Sequence, residues 1–197
     1  MCDLTRAGWL LGRDSGVRPL QEAYGSQAFA RALPTIMPSD RPTAKDLRRL
    51  HASHLLCCAS ELNTQKIATR GGCYAYGKIP LRDAPNTVPP AAYFLAAWTF
   101  AQDARARCLA EATPLRIVAH CASGKHRSPA VACFLLAGFS GTSIELSWKM
   151  LVASYPAAER VQSYLDAAEK ALAQIQAGVA GDGDAGDGTG TGRPTRT

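Results

Sequence analysis

No two of the seven cysteines, at positions 2, 57, 58, 73, 108, 121 and 133, form a Cys-x-x-Cys pair. That argues against a structural zinc site, and no metal is expected. The cysteine count is odd, the spacing is irregular and no secretory leader is visible, which argues against a disulfide framework. The expected setting is a reducing compartment, cytoplasmic or nuclear. Apolar runs of membrane-spanning length are also missing, as is any lipidation motif at the ends, so no membrane insertion is expected. What is present is a chain 47% apolar over 197 residues, enough for one domain with a substantial core.

The net charge is +6. The last twenty residues do not supply it, because Asp182, Asp184 and Asp187 outnumber Arg193 and Arg196 there. Residues 1–177 therefore carry 20 basic and 13 acidic side chains, or +7. Such a body favours anionic partners, among them phosphoesters, nucleic acid and acidic membranes, though solubility alone also explains it. The tail GVAGDGDAGDGTGTGRPTRT has almost nothing apolar to bury and is expected to be disordered over 178–197. Residues 1–16 are weakly patterned and read as an N-terminal extension. The domain proper is assigned to 17–177, and nothing in the sequence sets an oligomeric state.

Within that domain strands and helices alternate. Thr43, with Asp46 three residues on, predicts a capped helix start, and Leu47 and Leu50 supply its apolar side. HLLCCA (54–59) and CYAYGKIPL (73–81) read as strands, the second ending before the turn-rich DAPNTVPP. Pro89 and Pro90 suit the start of a helix reaching about Glu111, with Phe94, Trp98 and Ala101 on one face. LRIVA (115–119) has the unbroken apolar character of a strand buried on both faces. PAVACFLLAGF reads as a wholly buried helix, and two more are expected at about 142–153 and 157–177. This order predicts an α/β fold with a twisted, mostly parallel sheet of about five strands flanked by helices.

Between the strand at 115–119 and the buried helix stands HCASGKHRS. A loop that enters a helix N-terminus aims backbone N–H groups at one point, where the helix dipole favours an anion. Gly124 permits a positive φ and a close backbone approach. Arg127 offers a planar fork of donors matched to two phosphoryl oxygens. Cys121, in the same positive field, is poised as a thiolate nucleophile. Ser128 can hydrogen-bond the sulfur. His120 is placed to orient the loop. Ala122, Ser123, Gly124, Lys125 and His126 are expected to bind phosphate through their backbone amides, with Lys125 and His126 adding positive charge at the rim.

Cys-x5-Arg-Ser, preceded by His and with Gly three residues after Cys, resembles the signature loop of protein tyrosine and dual-specificity phosphatases. EAYGSQAFA (22–30) looks like the opening strand of that domain, HLLCCASE (54–61) is similar to a further strand, and IPLRDAP (79–85) looks like its general-acid loop. The resemblance covers about residues 17–175. Cys-x5-Arg by itself also occurs in arsenate reductases and rhodanese-type phosphatases, which lack the preceding His, the upstream acid loop and this helical C-terminus together. The resemblance implies the tyrosine-phosphatase-like fold in a small, single-domain atypical form. It implies hydrolysis of phosphotyrosine, phosphoserine or phosphothreonine in a protein partner through a phosphocysteine, without a cofactor or a nucleic-acid partner.

On that reading Asp83, 38 residues before Cys121, is the general acid that protonates the leaving oxygen and later activates water. An aspartate in a turn before Pro85 also has a purely structural use. A cysteine near Cys57 or Cys58 forms a reversible disulfide with the nucleophile in some related phosphatases, and otherwise these are small core side chains. Arg48 and Arg49 read as a solvated helix face or a docking patch, Trp98 and Trp148 as core. Two further readings are a phosphatase of a non-protein ester, either a phosphoinositide or an RNA 5′ end, and a phosphate-binding pseudophosphatase. Ala122, where phosphoinositide phosphatases usually carry a basic residue, weighs against the lipid.

Overall fold

Four short apolar segments line up in parallel, and their order decides where the functional residues meet. The structure is a computed structural model that describes residues 10–11 and 34–181. The strand expected at 22–30 lies outside the described residues. Strands β2 (Thr35–Ser39), β3 (His54–Cys57), β4 (Ala75–Lys78) and β5 (Arg116–His120) run parallel, and β1 (Leu10–Leu11) adds a two-residue antiparallel ladder on β2. The sheet order is β1-β2-β5-β3-β4. The sheet expected to hold about five strands thus has four parallel ones and this short fifth, which uses two residues of the segment read as an extension.

Alternation along the strands splits the core. Ile36, Leu56, Ile117 and Ala119 face a large core, whereas Met37, Leu55 and Val118 face a smaller one. The smaller core is closed by helices α1 (Ala44–Arg49) and α2 (Gln65–Gly71). The larger is filled by α3 (Ala91–Ala110), α4 (Arg127–Ser140), α5 (Ile144–Ser154) and α6 (Gln162–Gly181). The helical C-terminal third therefore packs on one side, as expected. Buried on all sides but at Gly138, α4 forms the middle of that layer. Trp148 is core, while Trp98 is half-buried, tilted on Phe139 and edge-on to Phe134.

The local signals at two helix starts operate as read. The Thr43 side chain accepts from the Asp46 N–H, and Asp46 accepts in return from the Thr43 N–H at 3.0 Å. Pro90 stands at the cap of α3. Two elements were not expected and one expectation needs correction. Strand β2 carries Pro38, a residue that argues against a strand. Thr35 N–H donates to the Leu115 carbonyl, so residues 35, 37 and 39 face β5. Pro38, of opposite parity, turns its missing donor to the other side, beyond the two residues paired with β1. Helix α2 was not expected; it is short, with only Ala68 and Gly71 buried. The last helix begins at Gln162 rather than 157 and runs to Gly181, four residues into the segment read as tail. Its start is delayed because the chain before it is held elsewhere: Glu159 N–H donates to the Lys125 carbonyl at 2.8 Å.

Candidate active site

Because β5 lies between β2 and β3, its carboxyl end opens where three strands finish together, the usual position of a site in a parallel sheet. Cys121 is the first residue past β5. Its N–H is 3.3 Å from the Ser39 carbonyl at the end of β2, and Cys58 N–H meets the His120 carbonyl at 2.7 Å at the end of β3. The loop after Cys121 then curls around the sulfur. Gly124 N–H and the Ser128 hydroxyl both lie 3.3 Å from Sγ. Ser128 Oγ is also 2.9 Å from the Ser39 carbonyl, so its single proton can be given to the carbonyl or to the sulfur.

Gly124 makes the turn with φ +73, and a Cβ there would fall 2.6 Å from both the Asp40 nitrogen and Tyr155 Oη. Both the conformation and the space require glycine. His120 is fully buried. Its Nδ1 lies 3.3 Å from the Cys121 carbonyl, which can only accept, so Nδ1 carries the proton. Its Nε2 therefore accepts from Thr64 Oγ1 at 2.8 Å. Burial pushes its pKa down to about 4, against a smaller opposing effect of the Cys121 carbonyl. It is a neutral structural group in the physiological range.

Arg127, the first residue of α4, is buried with 1% exposure. Nη1 is 2.8 Å from both oxygens of Glu61 and 3.3 Å from the Leu81 carbonyl. Nη2 is 3.4 Å from Asp83 Oδ2. Nε is buried and has no hydrogen-bond partner among the described residues. Burial opposes the guanidinium charge, but Glu61 and Asp83 outweigh it and hold the pKa above the ordinary arginine value. Burial likewise works against the Glu61 carboxylate, and the hydrogen bond from Arg127 overcomes it, so that carboxyl titrates below the usual range.

Asp83 lies at the site although it stands 38 positions before Cys121 in the chain. It stands between Arg127 and His126, whose Nδ1 is 3.6 Å from Asp83 Oδ1. At the rim both basic side chains of the loop have a partner. Lys125 Nζ is 2.6 Å from Glu159 Oε1, and His126 Nε2 is 3.0 Å from Glu159 Oε2. One exposed carboxylate on the turn before α6 thus engages both basic side chains of the loop. Ala122 and Ser123 are exposed at the loop entrance.

Of the two cysteines singled out, Cys57 shares a buried cluster with Ala59 and Cys121, whereas Cys58 points into the large helical core. Burial raises the Cys58 thiol well above the ordinary value, and nearby Cys121 and Cys57 add to this. Among the described residues no three His, Cys, Asp or Glu gather as a metal-ligand set.

Glu61, Glu159 and Tyr164 were not picked out from sequence. Glu61 had a usable signal, an acidic residue just past the carboxyl end of a strand expected beside the loop. Glu159 and Tyr164 lie far along the chain and had none.

No protein-family model matches the sequence, and no curated protein does. Solved structures match in fold. One from Leishmania major, assigned as a protein tyrosine phosphatase, has TM-score 0.62 at 17% identity, over 82% of this chain and 96% of that one. PTPMT1 in complex with PI(5)P gives 0.60 at 16% identity, over 73% and 94%. Human DUSP28 gives 0.59 at 17% identity, over 75% and 98%. The chain has the fold of the small tyrosine and dual-specificity phosphatases.

The buried histidines predict how stability depends on pH. Burial also lowers His54 to about 4, helped by the Arg107 charge. In the unfolded chain both histidines titrate near 6.5. Between about pH 4 and 6.5 the unfolded state therefore binds more protons, and stability falls as pH falls. Glu61 and Asp46, whose pKa values are lowered in the fold, lose their contribution only below about pH 4.5. Tm is expected to decline measurably from pH 6.5 to 5, with a shallower slope in His120→Asn. A flat wild-type profile over that window contradicts the assignment.

Proposed function

We propose that this protein is a cysteine-dependent phosphatase that removes phosphate from tyrosine, serine or threonine side chains of proteins. One observation carries the reading above all. Arg127 is buried beside the thiol, locked by Glu61, and keeps a buried N–H donor uncommitted to the protein. A buried donor left in this way calls for a ligand, and a guanidinium edge beside a nucleophile suits a phosphoryl group.

The chemistry follows from the contacts. The Cys121 thiolate, steadied by Gly124 N–H and Ser128 Oγ, attacks phosphorus in line. The S–P bond forms, the P–O bond to the side chain breaks, and Asp83 gives its proton to the departing oxygen. Phosphoryl oxygens take over the Arg127 fork, which frees the Asp83 carboxyl to face the leaving group. Asp83, now a carboxylate, accepts a proton from the water that attacks phosphorus, and the S–P bond breaks to restore the thiolate. The loop amides and Arg127 stabilise the equatorial oxygens in both steps. None of these steps draws on a metal or cofactor.

A protein substrate is favoured over a polyanionic headgroup because Glu159 already engages Lys125 and His126. The lipid reading keeps one argument, the likeness to a phosphatase captured with a phosphoinositide. The deciding experiment compares turnover of phosphotyrosine and phosphothreonine peptides, phosphatidylinositol 5-phosphate in micelles and 5′-phosphorylated RNA, with Cys121→Ser as control. We expect kcat/KM at least about tenfold higher on a peptide, and no turnover by Cys121→Ser. Preference for lipid or RNA contradicts the substrate assignment. Hydrolysis by Cys121→Ser contradicts the mechanism. Stoichiometric phosphopeptide binding without turnover makes the protein an adaptor.

The catalytic thiol must stay reduced, which is why we assign a cytoplasmic or nuclear setting. We further assign Cys57 as its protector: sulfenic acid on Cys121 condenses with the Cys57 thiol to a disulfide, releasing water. Their common buried cluster supports this choice over Cys58. Peroxide inactivation is then expected to be reversed by dithiothreitol in the wild type and much less in Cys57→Ser, with a Cys57–Cys121 peptide seen by mass spectrometry. Sulfinic Cys121 in the wild type, or pairing with Cys58, Cys73 or Cys133, overturns it.

A further inference from the structure

The segment that carries Asp83 is anchored on one side only: Ile79 and Leu81 are buried in the large core, and the Leu81 carbonyl accepts from Ser60 N–H at 3.0 Å. Residues 79–90 include Pro80, Pro85, Pro89 and Pro90, four positions with no N–H to donate. Asp83 itself is half exposed. Behind the segment lies a cavity of about 260 Å³ bordered by Pro80, Arg82, Ala84, Val88, Tyr93 and Tyr164, so close packing does not fix the backbone from that side.

From Arg82 to Pro85 the chain is held by the first turn of α6. The phenol of Tyr164 is buried with 1% exposure. Its Oη donates to the Arg82 carbonyl at 2.8 Å and accepts from the Ala84 N–H at 3.0 Å. One hydroxyl therefore spans the two residues that flank Asp83. The neighbouring Ser163 Oγ donates to the Pro85 carbonyl at 2.6 Å. Three backbone groups between 82 and 85 are tied to a helix some 80 positions later in the chain. A general acid must meet the leaving oxygen within hydrogen-bond distance, and small displacements there are costly in rate.

We propose that Tyr164 is a positioning residue for the general acid, its hydroxyl fixing the backbone on both sides of Asp83. Ser163 supports it from the adjacent position. The C-terminal helix thereby sets the geometry of proton transfer without touching the substrate. This rests on the reading of Asp83 given above.

Tyr164→Phe keeps the ring and removes both hydrogen bonds. The test measures kcat of wild type, Tyr164→Phe, Asp83→Asn and the double variant on p-nitrophenyl phosphate, whose leaving group needs little protonation, and on phenyl phosphate, whose leaving group needs more. Tyr164→Phe is expected to lose about tenfold on phenyl phosphate and much less on p-nitrophenyl phosphate. The double variant should be no slower than Asp83→Asn on phenyl phosphate, because an acid already lost cannot be misplaced. Equal loss on both substrates, or additive loss in the double variant, would show a merely structural role and overturns the proposal while Asp83 stands. If Asp83→Asn itself loses equally on both substrates, the acid assignment has failed, and this inference falls with it. Ser163→Ala, which spares the buried ring, should show the same leaving-group pattern at smaller size, and its absence in both variants counts against the clamp.

Discussion

The turn at Gly124 is the constraint from which the site follows. Its backbone occupies the left-handed region, and its missing side chain lets the loop lie against the Asp40 amide and Tyr155. That reversal brings the Gly124 N–H back to the sulfur three residues earlier. It also lets α4 begin at Arg127, with Ser128 reaching the same sulfur from the helix. A side chain at 124 would force β2 and the loop apart, and with them the carbonyl of Ser39 that anchors both Cys121 and Ser128.

Around this turn a chain of polar contacts runs from Glu61 through Arg127 and Asp83 to His126 and Glu159. Its members come from the turn after β3, the segment at 79–85, the loop that enters α4 and the turn before α6. Arg127 is anchored through Nη1 by Glu61, while Nη2 faces Asp83 and Nε stays without a partner among the described residues. Asp83 rests on Arg127 and faces the His126 ring. The outer carboxylates keep the two basic elements of the loop, the guanidinium and the His126 ring, in register with it.

Much of this was legible along the chain, because the loop concentrates its signals in nine consecutive residues. His120, Cys121, Gly124, Arg127 and Ser128 are brought together with the contacts their chemistry suggested. The parallel sheet and the buried helix α4 followed from apolar periodicity. Elements whose signals are short or contradictory were not legible. Pro38 concealed β2, since only the sheet order shows that its missing donor faces away from β5. Helix α2 buries too little to announce itself. Glu159 and Tyr164 act across long sequence separations, and no local pattern ties a residue on the last helix to a loop at 82–85. The pairing of Lys125 and His126 with Glu159 was not legible for the same reason, as Glu159 is 33 or more residues away.

The central claim is that phosphate passes through Cys121. Rapid acid quench of wild-type protein during turnover of a phosphopeptide, followed by peptide mass spectrometry, tests it directly. The account predicts the mass of one phosphoryl group on the peptide that contains Cys121, accumulating in Asp83→Asn, where hydrolysis of the intermediate is slowed. Phosphate found on a histidine or serine instead, or turnover with no covalent phosphoprotein at any quench time in that variant, would contradict it.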